Sequence, residues 1–147
     1  MRTFPAVSVV VVVAGLILSS GCASFRGPRP IYPAVDETVN TLRPTFSWEP
    51  TSELGVTYDL AVVQKTSEDT FHKEGGAYAY YVHGLAAPEH HVPRPLEPGV
   101  VYLWSVRVRR GNEVTDWSSY AQKQTYVLWT TTTFRPYWFR TSPNATE

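Results

Sequence analysis

From Val100 to Val108 the even positions read Val, Tyr, Trp, Val and Val, while the odd positions run from Val101 and Leu103 to Ser105, Arg107 and Arg109. Alternation with a period of two predicts a pleated strand with one fully apolar face. Pro98-Gly99 before it and Arg110-Gly111-Asn112 after it supply turn chemistry, so the element is bounded at both ends. Leu42, Pro44, Phe46 and Trp48 repeat the pattern, with Arg43, Thr45, Ser47 and Glu49 on the wet side. After the turn-rich 51–55 stretch, Tyr58, Leu60 and Val62 predict another core strand, with Asp59, Ala61 and Val63 on the alternate face. The polar run 65–76 predicts a loop. Tyr78–His83 reads as a short aromatic strand at a sheet edge, and His90–Val92 as another brief strand ahead of Pro93 and Pro95. The fold class these patterns predict is all-β, a two-sheet sandwich.

Composition narrows the picture. The 147 residues leave room for one domain plus a leader. Lysine plus arginine balances aspartate plus glutamate, and removing a leader whose one charge is Arg2 leaves the mature chain about one unit negative. That balance gives no electrostatic case for a nucleic-acid partner. A single cysteine excludes an intrachain disulfide and a thiolate zinc site.

The position of that cysteine carries the address. Arg2 precedes an apolar run from Val7 to Leu18, and Ser19-Ser20-Gly21 then leads to Cys22. This is the three-part layout of a secretory signal, and the run is shorter than the roughly 20 apolar residues a spanning helix needs. Leu18 to Cys22 resembles the lipobox of bacterial lipoproteins, with Ser19 where leucine is most usual. The resemblance implies cleavage after residue 21, a diacylglycerol on the sulfur of Cys22, and a protein tethered to membrane through its lipid. Ala23 follows the cysteine where an aspartate would signal retention at the inner membrane, which points to the outer membrane of a bacterial cell envelope. Residues 22–33 then form the lipidated cysteine and a proline-rich tether.

Thr45-Phe46-Ser47-Trp48-Glu49-Pro50 and Leu96-Glu97-Pro98-Gly99-Val100-Val101-Tyr102-Leu103-Trp104-Ser105-Val106 together resemble the fibronectin type III family. The resemblance implies an immunoglobulin-like sandwich over 34–141, with Trp48, Leu96, Tyr102 and Trp104 as structural core. It also implies that Trp48 packs against Tyr102, whose hydroxyl bonds back to backbone at the corner. The departure comes after Trp117-Ser118. Either 123–134 is the last strand, or 119–136 is an insertion and Tyr137–Thr141 closes the sheet; Pro136 and Pro143 favour the insertion, because prolines bracket strands. Residues 142–147 are then a tail, and Asn144-Ala145-Thr146 a glycosylation-like triplet at a frayed end.

Candidate chemistry is sparse. His90-His91 are consecutive strand residues whose rings point to opposite faces, a poor start for a metal site. His72 and His83 lack spaced partners, and no nucleophile elbow, phosphate-cradling loop or HExxH occurs. Asp59, Asp116 and the glutamates are expected on wet faces. The reading is therefore no enzyme, no metal and no cofactor beyond the covalent lipid on Cys22. The surplus is aromatic: Tyr120, Tyr126, Trp129, Tyr137 and Trp138 form the candidate binding surface. The leading expectation is contact with an unidentified envelope protein in a binding or assembly role, and the alternative is envelope glycan stacked on the loop aromatics.

Overall fold

The computed structural model describes residues 27–65 and 78–147; the leader, Cys22 with its lipobox, His72 and most of the 65–76 loop lie outside them. Every regular element among the described residues is a strand. A small sheet holds β1 (Pro30–Tyr32), β3 (Thr45–Trp48) and β6 (Glu89–His91) in the order β1-β3-β6. A larger one runs β2 (Glu37–Thr41), β11 (Tyr137–Thr146), β7 (Val101–Arg110), β4 (Thr57–Gln64) and β5 (Tyr78–Leu85), with β8 (Glu113–Val114) also on β7. A separate two-stranded ribbon joins β9 (Tyr120–Thr125) to β10 (Thr130–Arg135).

The central strand has the pattern its sequence dictates. Tyr102, Trp104, Val106 and Val108 of β7 are buried, facing Phe46 and Trp48 of β3 across a core that also takes Tyr58, Leu60 and Val62 of β4 and Phe139 of β11. Phe46 meets Trp104 and Phe139 edge-on at 4.8 and 5.6 Å, so rings from both sheets interlock. The strand order, three strands facing a sheet built on β4, β7 and β11, is that of an immunoglobulin-like, fibronectin type III-like sandwich.

The corner before β7 is tied by side chains. The Glu97 N–H donates to the Tyr102 hydroxyl at 2.9 Å, and Gly99 takes a φ of 73°, where a side chain is disfavoured. Buried Thr141 completes the corner by donating to the Glu97 carbonyl at 2.6 Å and accepting from the Val100 N–H at 3.0 Å. Trp48 and Tyr102 share one buried core cluster, and each meets a further ring. Trp48 meets Tyr58 at 5.4 Å, and Tyr102 stacks on Phe139 at 5.6 Å, because the register of β11 sets Phe139 directly opposite Tyr102.

Four expectations need correction. The stretch 30–32 is an edge strand on β3 and not part of a free tether; proline is admitted there because an edge strand leaves one side of its backbone unpaired. Arg29 pairs with Glu49 at 2.5 Å, and the Trp104 indole N–H donates to the Pro33 carbonyl, so the domain takes in residues before Ala34. At the other end, 142–146 is not a frayed tail. β11 continues to Thr146, which pairs with Thr41 and accepts from the Leu42 N–H at 2.9 Å. Finally, Asp59, expected on a wet face, is buried, as are Ala61, Leu103 and Ser105 on the same side of β4 and β7.

Two substitutions test this core. Tyr102→Phe strands the Glu97 N–H and is expected to cost about 1–3 kcal/mol, and Trp48→Ala about 3–5 kcal/mol through the cavity it opens. Urea unfolding at constant slope measures both.

Candidate functional site

The site is built where the last strand of the sheet is interrupted. Beside the second half of β7, β8 pairs at Arg109 and Arg110, and the Thr115 N–H donates to the Val108 carbonyl at 3.0 Å. The Ser118 N–H then donates to the Val106 carbonyl at 2.9 Å, and beside the first half of β7, Tyr137 to Arg140 pair with Trp104 to Val101. One edge of β7 is thus covered by two pieces of chain, and 119–136 is extruded between them. Ser118 seals the exit. Its hydroxyl accepts the Val106 N–H at 3.0 Å where a strand carbonyl would have stood, and its own carbonyl accepts from the Ser105 hydroxyl at 2.8 Å.

The extruded segment folds back on itself as β9 and β10, in unbroken register from Tyr120 opposite Arg135 to Thr125 opposite Thr130. Glutamine, lysine and threonine make up most of the stem, and residues 121–135 are exposed on both faces. The tip is apolar. Val127 and Leu128 occupy the two loop positions, 100% and 84% exposed, where hairpin turns favour Asn-Gly or Asp-Gly. Tyr126 and Trp129 flank them with ring centroids 5.4 Å apart, and Phe134 is exposed near the base.

The five expected contact aromatics therefore do not form one surface. Tyr126 and Trp129 sit together at the tip. Tyr120 and Tyr137 meet edge-on at 5.4 Å at the root, where Tyr137 also touches Trp104. Trp138, the next residue along β11, turns to the outer face of the larger sheet, packs with Trp117 over Ala61 and Leu103, and lies under the Lys65 ammonium at 5.8 Å. Two clefts flank the root and share Phe134: one of about 510 Å³ lined by Pro28, Trp117, Ala121 and Tyr137, and one of about 370 Å³ lined by Leu103, Tyr120, Pro136 and Trp138.

Sequence reading missed the exposed apolar residues Val127, Leu128 and Phe134. Their signal was an apolar pair with no turn former between two polar strand-like runs. It missed the charge cluster on the outer face as well. Asp59 accepts from Arg107 Nε at 2.9 Å and from Arg109 Nε and Nη2 at 2.9 and 2.6 Å. Burial pushes its carboxyl up, but the hydrogen bonds and charges of the two arginines outweigh that and hold it below the ordinary range. With its oxygens engaged by two arginines, Asp59 is a structural anion and a poor acid or base. Arg107 also lies over the Trp117 ring at 4.4 Å, so the cluster braces the strip of chain that leads into the ribbon.

The two consecutive histidines diverge as their strand requires. His90 stacks on Tyr80 and its Nε2 lies 2.6 Å from the Tyr80 hydroxyl, whereas His91 bonds Thr45. Burial first, and the neighbouring His91 second, depress the His90 pKa. Among the described residues no three His, Cys, Asp or Glu side chains are placed to hold a metal ion.

No family model matches the chain, and no curated protein does. Among solved structures, the fibronectin type III domain of human collagen alpha-1(XX) chain is similar at 19% identity, over 80% of this chain and 92% of that one, with a TM-score of 0.41. The strand order defines the fold without it.

The Asp59 cluster gives a pH prediction. Because its folded pKa is depressed, its contribution is complete above the ordinary carboxyl range near about 4 and is lost as pH falls through the lower folded value. Asp59→Asn is expected to cost about 3 kcal/mol at neutral pH, by leaving two partly buried cations unpaired, and to flatten the acid limb of the stability profile. Thermal unfolding from pH 7 down to 2 measures both effects.

Proposed function

We propose that the chain is a lipid-anchored protein of a bacterial cell envelope, on the outer rather than the inner membrane, whose sandwich does no chemistry and holds out the 119–136 ribbon to an envelope protein in a binding or assembly role. The anchor and its address rest on the resemblance of Leu18 to Cys22 to a lipobox; the observation that carries the binding role is the ribbon itself. A two-stranded hairpin alone is marginal in water, yet this one stands exposed on both faces and ends in Tyr126, Val127, Leu128 and Trp129. Fully burying an aliphatic or aromatic side chain of this size is worth about 1.5–3 kcal/mol, so a partner that covers the tip gains several such increments. The chain adjoining the ribbon's two ends is pinned to β7 and to the aromatic root, which keeps the cost of ordering it low.

A glycan ligand is the second reading, favoured by one observation: Tyr126 and Trp129 are adjacent and each about half exposed, at 49% and 59%. Their rings are inclined by 31°, so they offer two inclined ring faces and not one flat platform.

Anchoring is tested at one atom. Labelled palmitate is expected to enter the protein and bring it to the membrane fraction, and Cys22→Ala to abolish both; labelling that survives the substitution would sink the lipid anchor. The ribbon is tested by photo-crosslinking in intact cells from positions 126 and 129, compared with position 45 on the small sheet. Specific protein adducts from the ribbon alone are expected. Glycan adducts would promote the second reading, and equal, diffuse adducts from all three positions would leave the ribbon without a binding role.

A further inference from the structure

We propose that the ribbon's partner is a second copy of this chain, paired antiparallel along the outer edge of β10 with Thr132 opposite Thr132 of the second copy. The proposal rests on the reading of the ribbon as an assembly element and names what it assembles with. The hairpin register fixes which backbone groups are free. The Tyr126 N–H donates to the Trp129 carbonyl at 2.7 Å, and the register is unbroken from there to the root. In an antiparallel pair hydrogen-bonded positions alternate, so Trp129, Thr131, Thr133 and Arg135 bond to β9. Thr130, Thr132 and Phe134 turn their N–H and C=O groups outward. On β9 the outward positions are Ala121, Lys123 and Thr125.

The two edges are not alike. The β9 edge carries the Lys123 ammonium, a charge of the kind that guards natural edge strands. The β10 edge presents Thr, Thr and Phe with no charge and no proline, all favourable for pairing. Outward groups must meet outward groups, and one antiparallel register matches all three on each copy. It sets Thr130 against Phe134 of the second copy, Thr132 against Thr132, and Phe134 against Thr130. The arrangement is two-fold symmetric and closes on itself, giving a four-stranded sheet from two marginal ribbons.

The same register accounts for the exposed apolar groups. One position beyond the triad, Trp129 comes opposite Arg135 of the second copy, a favourable cation and indole pairing. Further along, Leu128, on the β10 side of the turn, is carried toward Pro136 of the second copy, a residue that lines one of the clefts at the root. Each apolar tip ends at the other copy's aromatic base. Two chains anchored to one membrane surface also hold these edges at high effective concentration.

The test uses the full chain in its own membranes under a mild oxidant. Opposed residues of a hydrogen-bonded antiparallel pair have Cα atoms about 5.5 Å apart, within disulfide reach. Thr132→Cys is expected to give a disulfide-linked dimer. Thr130→Cys and Phe134→Cys are each expected to stay monomeric when alone and to link to one another when co-expressed. The unsubstituted chain is the control for Cys22: if it links to itself, the lipid anchor is absent and the cysteine series is repeated on Cys22→Ala. Linking by Thr130→Cys alone, or none by Thr132→Cys, would overturn the proposal, as would adducts to a different protein. A second measurement needs no cysteine. The Thr132 N–H faces outward, so Thr132→Pro leaves the β9 ladder whole and is expected to shift the detergent-solubilised protein from dimer to monomer mass in sedimentation; a monomeric parent, or a proline variant that stays dimeric, refutes the pairing.

Discussion

The hydrogen bonds along β7 are the constraint from which the rest of the domain takes its place. One side of the strand is matched residue by residue to β4, from Thr57 opposite Arg109 to Gln64 opposite Tyr102. The other side is shared between the 113–118 strip and β11. Because the inner face of the same strand supplies Tyr102, Trp104, Val106 and Val108 to the core, a shift of one residue would turn all four toward the outer face. Register and core are therefore fixed by the same residues. The corner at Glu97 to Val100, held by Tyr102 and Thr141, sets where that register begins.

The outer face of the larger sheet shows what the interruption does to the sandwich. That face carries Ala61 and Leu103 under Trp117 and Trp138, and Asp59, expected to meet water, under two arginines. Trp117 comes just before the ribbon and Trp138 just after it. The residues that flank the insertion thus cover part of the sheet's outer face with their rings. A buried carboxylate is tolerable there because Arg107 and Arg109 bring both charge and directed N–H groups, whereas an unpaired one would shift toward its neutral form.

How much of this was legible in the sequence depends on how local the signal is. The core strands were readable because alternation over Phe46 to Trp48, Tyr58 to Val62 and Tyr102 to Val108 is a property of neighbouring residues. Edge strands were not. Pro30-Ile31-Tyr32 and Glu37-Thr38-Val39-Asn40-Thr41 carry no clean alternation, and the first takes its conformation from β3 and the second from β11. The burial of Asp59 was invisible for the same reason, since it depends on Arg107 and Arg109 being brought beside it by the pairing of β4 with β7. Aromatic excess after Ser118 marked the site in outline. That Tyr120 and Tyr137 brace the root, Tyr126 and Trp129 top the ribbon and Trp138 covers the outer face follows from the register of three strands, which composition does not contain.

Placing an insertion between two pieces of chain that pair with the same side of β7, and not in a loop at the end of the sandwich, has a mechanical consequence. A loop insertion hangs from two turns that can hinge, and loops at the ends of a sandwich are its most mobile parts. Here both flanks stay hydrogen-bonded to β7, Ser118 and Ser105 close the ladder where the chain leaves, and Tyr120 packs on Tyr137 where it returns. The ribbon is then directed by the sheet from which it springs. An apolar tip on such an arm is held clear of the body's own surface, which keeps it from folding back to satisfy itself. The sandwich leaves Val127 and Leu128 exposed because the stem that carries them is pinned at its root to β7 and beyond it, among the described residues, pairs with no other strand of the body.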